Sequence, residues 1–282
     1  MKNLNYYNEE CFAVYKEAVK NKTDKDKKRI LNSVEDKIEL QYEVYLDKFQ
    51  NKKIFEVISE SFSDLEKATL IDLYQYKSSI IKKIKNKILD SQVITISATC
   101  QYCTLNSINS LDHFIPKSDF PEFSVNPLNL FPCCPECNFK KNNLCFNGEE
   151  SLFLNLYLDE LPEKEYLRAD FDFSDEIPLV TFSLHNPDNI EVNLYRTICS
   201  HYERLNLLER MREKSNEIVT EIICSLKTNY LLNNDTEILK NFINGEEKKN
   251  KNAYGYNYWK STLRLSLIQY EEFWEKYVKF PL

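Results

Sequence analysis

Apolar residues recur at spacings of three and four along residues 8–95, the period of an α-helix with one buried face. Leu31, Val34, Ile38, Tyr42, Tyr45 and Phe49 form one such stripe, and Ile71, Tyr74, Ile81, Ile84 and Ile88 form another. Between residues 96 and 147 the helical period gives way to short apolar stretches, prolines and paired cysteines, a texture that predicts a compact module. From Tyr195 the helical period returns, with Leu205, Leu208, Met211, Ile218 and Ile222 on one stripe. Residues 244–257, with two glycines and a Lys/Asn run, read as an exposed loop before a last helix holding Trp259, Leu263, Leu267 and Trp274. The pattern predicts an N-terminal helical region over 1–95, a small module over 96–147 and a mainly helical region over 148–282 that is available for partner docking.

Composition agrees with a mainly α fold. The chain has 282 residues and is 43% hydrophobic, enough for a sizeable core, yet it holds three glycines, so tight turns that require positive φ are few. The net charge of −7 argues against a nucleic-acid coat protein, but local patches decide phosphate binding. One such patch is Lys77, Lys82, Lys83, Lys85 and Lys87 along the second stripe; the run from Lys20 to Arg29, broken by Asp24 and Asp26, reads as solvent-exposed. Residues 149–176 carry ten acidic side chains, which would repel nucleic acid and suit a face turned away from it or toward a protein.

The start, MKNLNYYNEECFA, lacks an apolar leader core, and no apolar run is long enough for a bilayer. A cytoplasmic location follows as an expectation, and with it reduced thiols. Five of the nine cysteines fall between residues 100 and 137. Cys100-Gln-Tyr-Cys103 and Cys134-Pro-Glu-Cys137 are two C-x-x-C pairs, each able to turn both thiolates toward one ion. Together they complete an S₄ shell that suits a structural zinc. Cys133 has the wrong distance to Cys137 for such a pair. Cys11, Cys145, Cys199 and Cys224 read as core residues.

Between and after the pairs run LDHFIPKSDFPEFSVNPLNLFPCC and PECNFKKNN. In order, C-x-x-C, D-H, N-L, C-x-x-C-N and then lysines resemble the zinc-stapled HNH endonucleases of the ββα-metal fold over residues 98–145. The resemblance implies mainly helical flanks around a ββα-metal module, with Asp112 and His113 on the first strand, Asn129 before the second strand and Asn138 opening the helix. It further implies His113 as general base, Asp112 and Asn138 as ligands of a catalytic Mg²⁺ or Mn²⁺, and Asn129 as the residue holding a backbone bend at the D-H pair. Phosphodiester hydrolysis supports those roles independently. A histidine can accept a water's proton near neutral pH, and carboxylate and amide oxygens suit a hard, partly hydrated divalent ion. Lys117, Lys140 and Lys141 are placed to touch phosphates, while His185 and His201 read as structural.

Downstream, YLDELPEKEYLRADF and ICSHYERLNLLERMREKSNEIV resemble the tail of the HNH nuclease subunit of Septu-type antiphage systems, which acts with an ABC/SMC-like ATPase. That resemblance implies nucleic acid, DNA before RNA, and a larger ATPase as partners. Many relatives place His-Pro where this chain has Asn155-Leu156. Two other function classes stand beside this one. A stand-alone restriction or repair nuclease would need its own DNA-reading module, and no helix-turn-helix or repeated finger is visible. A zinc protein that only binds nucleic acid or a partner would keep the cysteines without needing Asp112, His113 and Asn138 together.

Overall fold

The computed structural model describes residues 1–186 and 189–279. It is mainly helical and divides into two compact units. One comprises Asn3–Tyr102 and Asn106–Glu160; the other comprises Met1–Lys2, Cys103–Leu105 and Leu161–Leu282.

In the first unit, the stripe from Leu31 to Phe49 is two helices rather than one. Helices α1 (Cys11–Lys20) and α2 (Lys25–Ser33) precede α3 (Glu35–Gln50), and the break falls at Val34, whose N–H still reaches the Leu31 carbonyl. Ile38, Tyr42, Tyr45 and Phe49, at successive spacings of four, three and four, are the buried face of α3. The second stripe is likewise divided, between α4 (Asp64–Ile71) and α5 (Ser79–Asp90). Ser63 starts α4 with a capping box to Glu66, and Ser78 starts α5 by accepting from the Ile81 N–H. A short helix, α6 (Ile94–Ser97), leads into the module.

The module is a hairpin and a helix. Strand β1 (Ser110–His113) pairs antiparallel with β2 (Leu130–Cys133), setting Asp112 opposite Phe131 and His113 opposite Leu130; α7 (Pro135–Lys141) follows. Pro135 occupies the first turn of α7, where its missing N–H costs nothing, and Asn142 ends the helix at φ 51°. Asparagine at positive φ recurs at Asn206 and Asn234, so this residue does in several turns what glycine usually does. Leu111, Phe114, Ile115, Phe123, Val125, Leu128 and Leu130 bury into the same apolar cluster as the inner faces of α1–α5. A small ribbon of β3 (Phe146–Asn147) and β4 (Glu150–Ser151) follows.

The second unit, expected to be mainly helical, also holds a two-stranded ribbon. Inside the acidic stretch, β5 (Leu167–Asp172) pairs antiparallel with β6 (Leu179–Leu184). Leu167, Ala169, Val180 and Phe182 are buried while Arg168, Asp170, Thr181 and Leu179 are exposed, the alternation of a half-buried ribbon. Helices α8 (Val192–Arg204), α9 (Leu207–Glu213) and α10 (Ser215–Asn233) carry the third stripe. Residues 244–254 are not the expected loop: α11 runs from Thr236 to Tyr254. The reason is Glu247, fully buried, which accepts hydrogen bonds from Ser261 and, at 2.8 Å, from the Arg264 guanidinium on α12 (Trp259–Leu267). Gly255 ends α11 at φ 112°, where a Cβ would stand 1.9 Å from the Met1 carbonyl oxygen. After α12 come a turn of helix, α13 (Glu271–Phe273), and a wider turn over Trp274–Val278, with both Phe273 and Trp274 buried.

Candidate active site and metal centres

The ligand atoms of Cys100, Cys103, Cys134 and Cys137 all lie within 4.8 Å of one another, and all four residues are buried. A tetrahedral zinc with bonds of about 2.3 Å sets its sulfurs about 3.8 Å apart, so the cluster fits the ion. Local geometry favours thiolates. The Leu105 N–H points at Cys103 Sγ and the Cys137 N–H at Cys134 Sγ, each at 3.4 Å, and Asn106 Nδ2 stands 3.9 Å from Cys134 Sγ. Cys134 is the N-cap of α7, so its partial positive end also faces that sulfur. Cys133 is outside the cluster. It lies beside Ser110 Oγ, and burial holds its thiol well above the usual range.

Asp112 and His113 are neighbours on β1 and meet different surroundings, as side chains of a strand do. The Asp112 carboxylate, 3% exposed, faces the Lys141 ammonium at 3.1 Å and the Tyr102 hydroxyl at 3.4 Å. Burial raises its pKa and outweighs the opposing pull of Lys141. Tyr102 is itself held by stacking on Phe131, with centroids 4.2 Å apart. No hydrogen bond or ion pair joins the Asp112 carboxylate to the His113 ring among the described residues.

The His113 ring is fixed from two sides. Nε2 lies 2.8 Å from the Ser124 carbonyl oxygen, and the Tyr74 ring crosses the imidazole edge-on at 4.4 Å. A carbonyl can only accept, so Nε2 carries the proton and Nδ1 keeps its lone pair. Burial pushes the pKa down to about 3, leaving the ring neutral across the physiological range. Tyr74 is placed in turn by its hydroxyl on the Leu111 carbonyl, and Lys117 Nζ sits 4.5 Å over its ring.

Asn129 is fully buried and clamps the chain beyond β1. Its Oδ1 accepts from the Ile115 N–H at 2.9 Å and from the Tyr45 hydroxyl at 3.3 Å. Its Nδ2 donates to the Ile115 carbonyl at 3.0 Å and to the Phe123 carbonyl at 3.4 Å, while the Phe114 N–H reaches the Asn129 carbonyl at 2.8 Å. Strand pairing continues through His113, so the chain leaves the ladder just after the D-H pair rather than within it.

Asn138 and Lys141 are three apart on α7 and share a face of that helix. Lys141 touches Asp112, which places the half-buried Asn138 one turn away on the side of β1. The Asn138 side-chain amide makes no hydrogen bond among the described residues. Asp112 on β1 and Asn138 on α7 thus bring a carboxylate and an amide, both hard oxygen donors, to elements joined by the Asp112–Lys141 contact.

Lys141 differs from its expected place on phosphate. It is fully buried and donates to the His113 carbonyl at 2.8 Å, because the face of α7 that carries it packs on β1. Lys117 and Lys140 are half-buried. Of the basic patch, Lys83 pairs with Glu17, Lys87 pairs with Glu9, and Lys85 donates to the Tyr76 hydroxyl and the Ile108 carbonyl, which leaves Lys77 and Lys82 exposed and without an ion pair among the described residues. Likewise Lys22 and Lys27, in the run read as solvent-exposed, both pair with Asp72. His185 Nδ1 faces the Tyr166 carbonyl, and His201 is fully buried; both belong to the second unit. Tyr102, Tyr74 and Ser124 were not singled out for the site in the sequence. Only Tyr102, inside the first C-x-x-C pair, carries a local hint.

Residues 100–144 match the family model of the HNH endonucleases. The chain is also 26% identical over 164 residues to Protein ea31 of Escherichia phage lambda, an overlap that covers 57% of this chain and 55% of that protein. The chain thus spans about half the length of the curated relative it matches. No solved structure matches it. The chain therefore carries an HNH endonuclease domain with a four-cysteine cluster able to hold zinc.

Two predictions follow from this geometry. Cys134→Ser is expected to release one zinc per chain and lower the melting temperature, because it removes a thiolate ligand even though serine can still cap α7; elemental analysis and thermal melting check this. His113 supplies the second. From pH 6.5 down to about 3 the unfolded chain binds a proton at this ring that the folded chain does not. Its contribution to stability is therefore complete above 6.5 and is lost as pH falls through that window. Lowering the pH from about 7 to about 5 should cost the parent about 2 kcal/mol more than it costs His113→Gln, measured by urea unfolding.

Proposed function

We propose that this chain is a metal-dependent HNH endonuclease that hydrolyses phosphodiester bonds of nucleic acid, DNA in preference to RNA. The observation that carries this reading is the His113 ring, oriented by the Ser124 carbonyl on Nε2 with no hydrogen bond to Nδ1 among the described residues, within a stretch that matches the HNH family model. In this role Nδ1 takes the proton of the attacking water, and the Ser124 carbonyl keeps the ring in the required tautomer. Asp112 and the Asn138 amide oxygen hold the ion. When bound, a divalent ion there supplies charge neutralisation on the phosphate and on the departing 3′ oxygen. Asn129 does no chemistry; its hydrogen bonds to Ile115 and Phe123 hold the loop from which the Ser124 carbonyl reaches His113. Lys117 and Lys140 suit contact with flanking phosphates. The cysteine cluster binds zinc apart from the reaction, since thiolates select zinc and oxygens select Mg²⁺.

His113→Ala is expected to lower cleavage of plasmid DNA by about a hundred- to ten-thousandfold while the protein stays folded and its zinc content stays near that of the parent. EDTA is expected to stop the parent, and Mg²⁺ or Mn²⁺ to restore it. An active His113→Ala protein, purified free of other nucleases, would place the active site elsewhere.

The finer reading is an effector nuclease of a prokaryotic antiphage system of the Septu type, acting in the cytoplasm with an ABC/SMC-like ATPase. Its support is the resemblance of residues 157–171 and 198–219 to such subunits, together with the acidic composition of 149–176. No helix among the described residues is long and apolar enough to cross a membrane. Co-expression with a neighbouring ATPase gene is expected to yield a complex that survives tag purification. Failure to co-purify across salt concentrations would favour a nuclease that works alone.

A further inference from the structure

Lys141 stands inside the proposed metal site rather than at its rim. Nζ is 3.1 Å from Asp112 Oδ2, 3.5 Å from Oδ1 and 2.8 Å from the His113 carbonyl oxygen. The rings of Phe153 and Phe114 stand 5.7 and 5.9 Å from it, and the side chain has no solvent exposure. The ammonium is thus enclosed by a carboxylate, a carbonyl and two aromatic faces, a built position for a cation.

The charge of this position constrains what else can bind. Asp112 brings one negative charge and Lys141 one positive charge; Asn129 and Asn138 are neutral. A divalent ion added to that set has no net negative charge to meet. A carboxylate has lone pairs enough for two cations, but two positive centres on one carboxylate repel, and more strongly where water is excluded. A phosphodiester at the ion brings the missing negative charge.

We propose that Lys141 makes divalent-ion binding at Asp112 conditional on nucleic-acid phosphate: the ammonium holds the carboxylate in the free protein, and ion and phosphate enter together. This rests on Asp112 being the ion's ligand, as proposed above. It makes Lys141 a positioning residue that acts through Asp112. It also gives the nuclease a resting state in which the ion is not stored. By linkage, the factor by which phosphate tightens ion binding equals the factor by which the ion tightens DNA binding.

The test is Mn²⁺ binding, followed by the paramagnetic resonance of free Mn²⁺, with zinc in place. A His113→Ala background prevents cleavage and keeps Asp112, Asn138 and Lys141. Binding is measured with and without a short DNA duplex, after correction for Mn²⁺ bound by the duplex alone. The duplex is expected to tighten Mn²⁺ by roughly ten- to a hundredfold. Lys141→Met fills the same space without charge and is expected to bind Mn²⁺ more tightly in the absence of DNA, with most of the coupling gone. Lys141→Gln, which keeps a donor for the His113 carbonyl, is expected to do the same, and it decides the matter if the Met variant loses zinc or melts early. Lys141→Arg is expected to retain the coupling. Equal affinity with and without DNA in the background protein would overturn the proposal by itself. So would an unchanged DNA-free affinity in a folded Lys141→Met or Lys141→Gln protein. Asp112→Asn separates the two levels: Mn²⁺ bound as before in that variant means that Asp112 is not the ligand and the reading above fails. Loss of Mn²⁺ in Asp112→Asn without coupling in the background protein overturns only the role of Lys141.

Discussion

The buried pair of Asp112 and Lys141 is the contact on which the HNH module turns. Taking either charge out of water costs several kcal/mol, and removing one partner of such a pair typically costs about 3–5 kcal/mol because the other is left uncompensated. The pair therefore holds α7 against β1 in one register, with the Lys141 bond to the His113 carbonyl as a second point of attachment. The cysteine cluster ties the start of α7 near the start of the hairpin, and Lys141 ties its end. A seven-residue helix too short to be stable alone is fixed at both ends. Asn138 lies between those fixed points, so its position follows from theirs.

A second constraint comes from the neighbouring helices. The hairpin and the long loop between its strands bury their apolar residues in the core formed by α1–α5. Two tyrosines carry that packing to the site. Tyr45 on α3 reaches Asn129 with its hydroxyl, and Tyr74, after α4, lies against the His113 ring. The tautomer of His113 thus depends on a chain of ordinary contacts: helix core, Tyr45, Asn129, the loop to Ser124, and the carbonyl on Nε2. Burial that fixes the imidazole also keeps it neutral. The Asp112–Lys141 pair and the neutral His113 ring arise side by side because β1 sends its two side chains into different environments.

Much of this site was legible in the sequence because its chemistry is local. Two residues between cysteines suffice to aim both thiolates at one ion, and the order of D-H, Asn and Asn138 around the pairs states which elements carry them. Helical stripes in α3 and α5 were legible for the same reason: a 3.6-residue period needs no knowledge of what lies opposite. The breaks were not. Val34 interrupts one stripe without interrupting its apolar period, and the second stripe continues across the turn between Ile71 and Ser79.

What tertiary structure alone decided are the partners of polar residues. By composition Lys141 is one more lysine after a cysteine pair; only the packing of α7 on β1 turns it inward to Asp112. By composition residues 244–254 are a polar loop; only the approach of α12 gives Glu247 the Arg264 and Ser261 contacts that extend the helix. The ribbon of Leu167–Asp172 and Leu179–Leu184 was hidden among acidic residues, though its alternation is present once a face is assigned. The sequence by itself determined which four cysteines could share a metal ion and where the helices have an inner side, because spacing along the chain sets both. Which charges are buried, and against what, was decided by contacts between distant segments, since desolvation depends on neighbours that no short window contains.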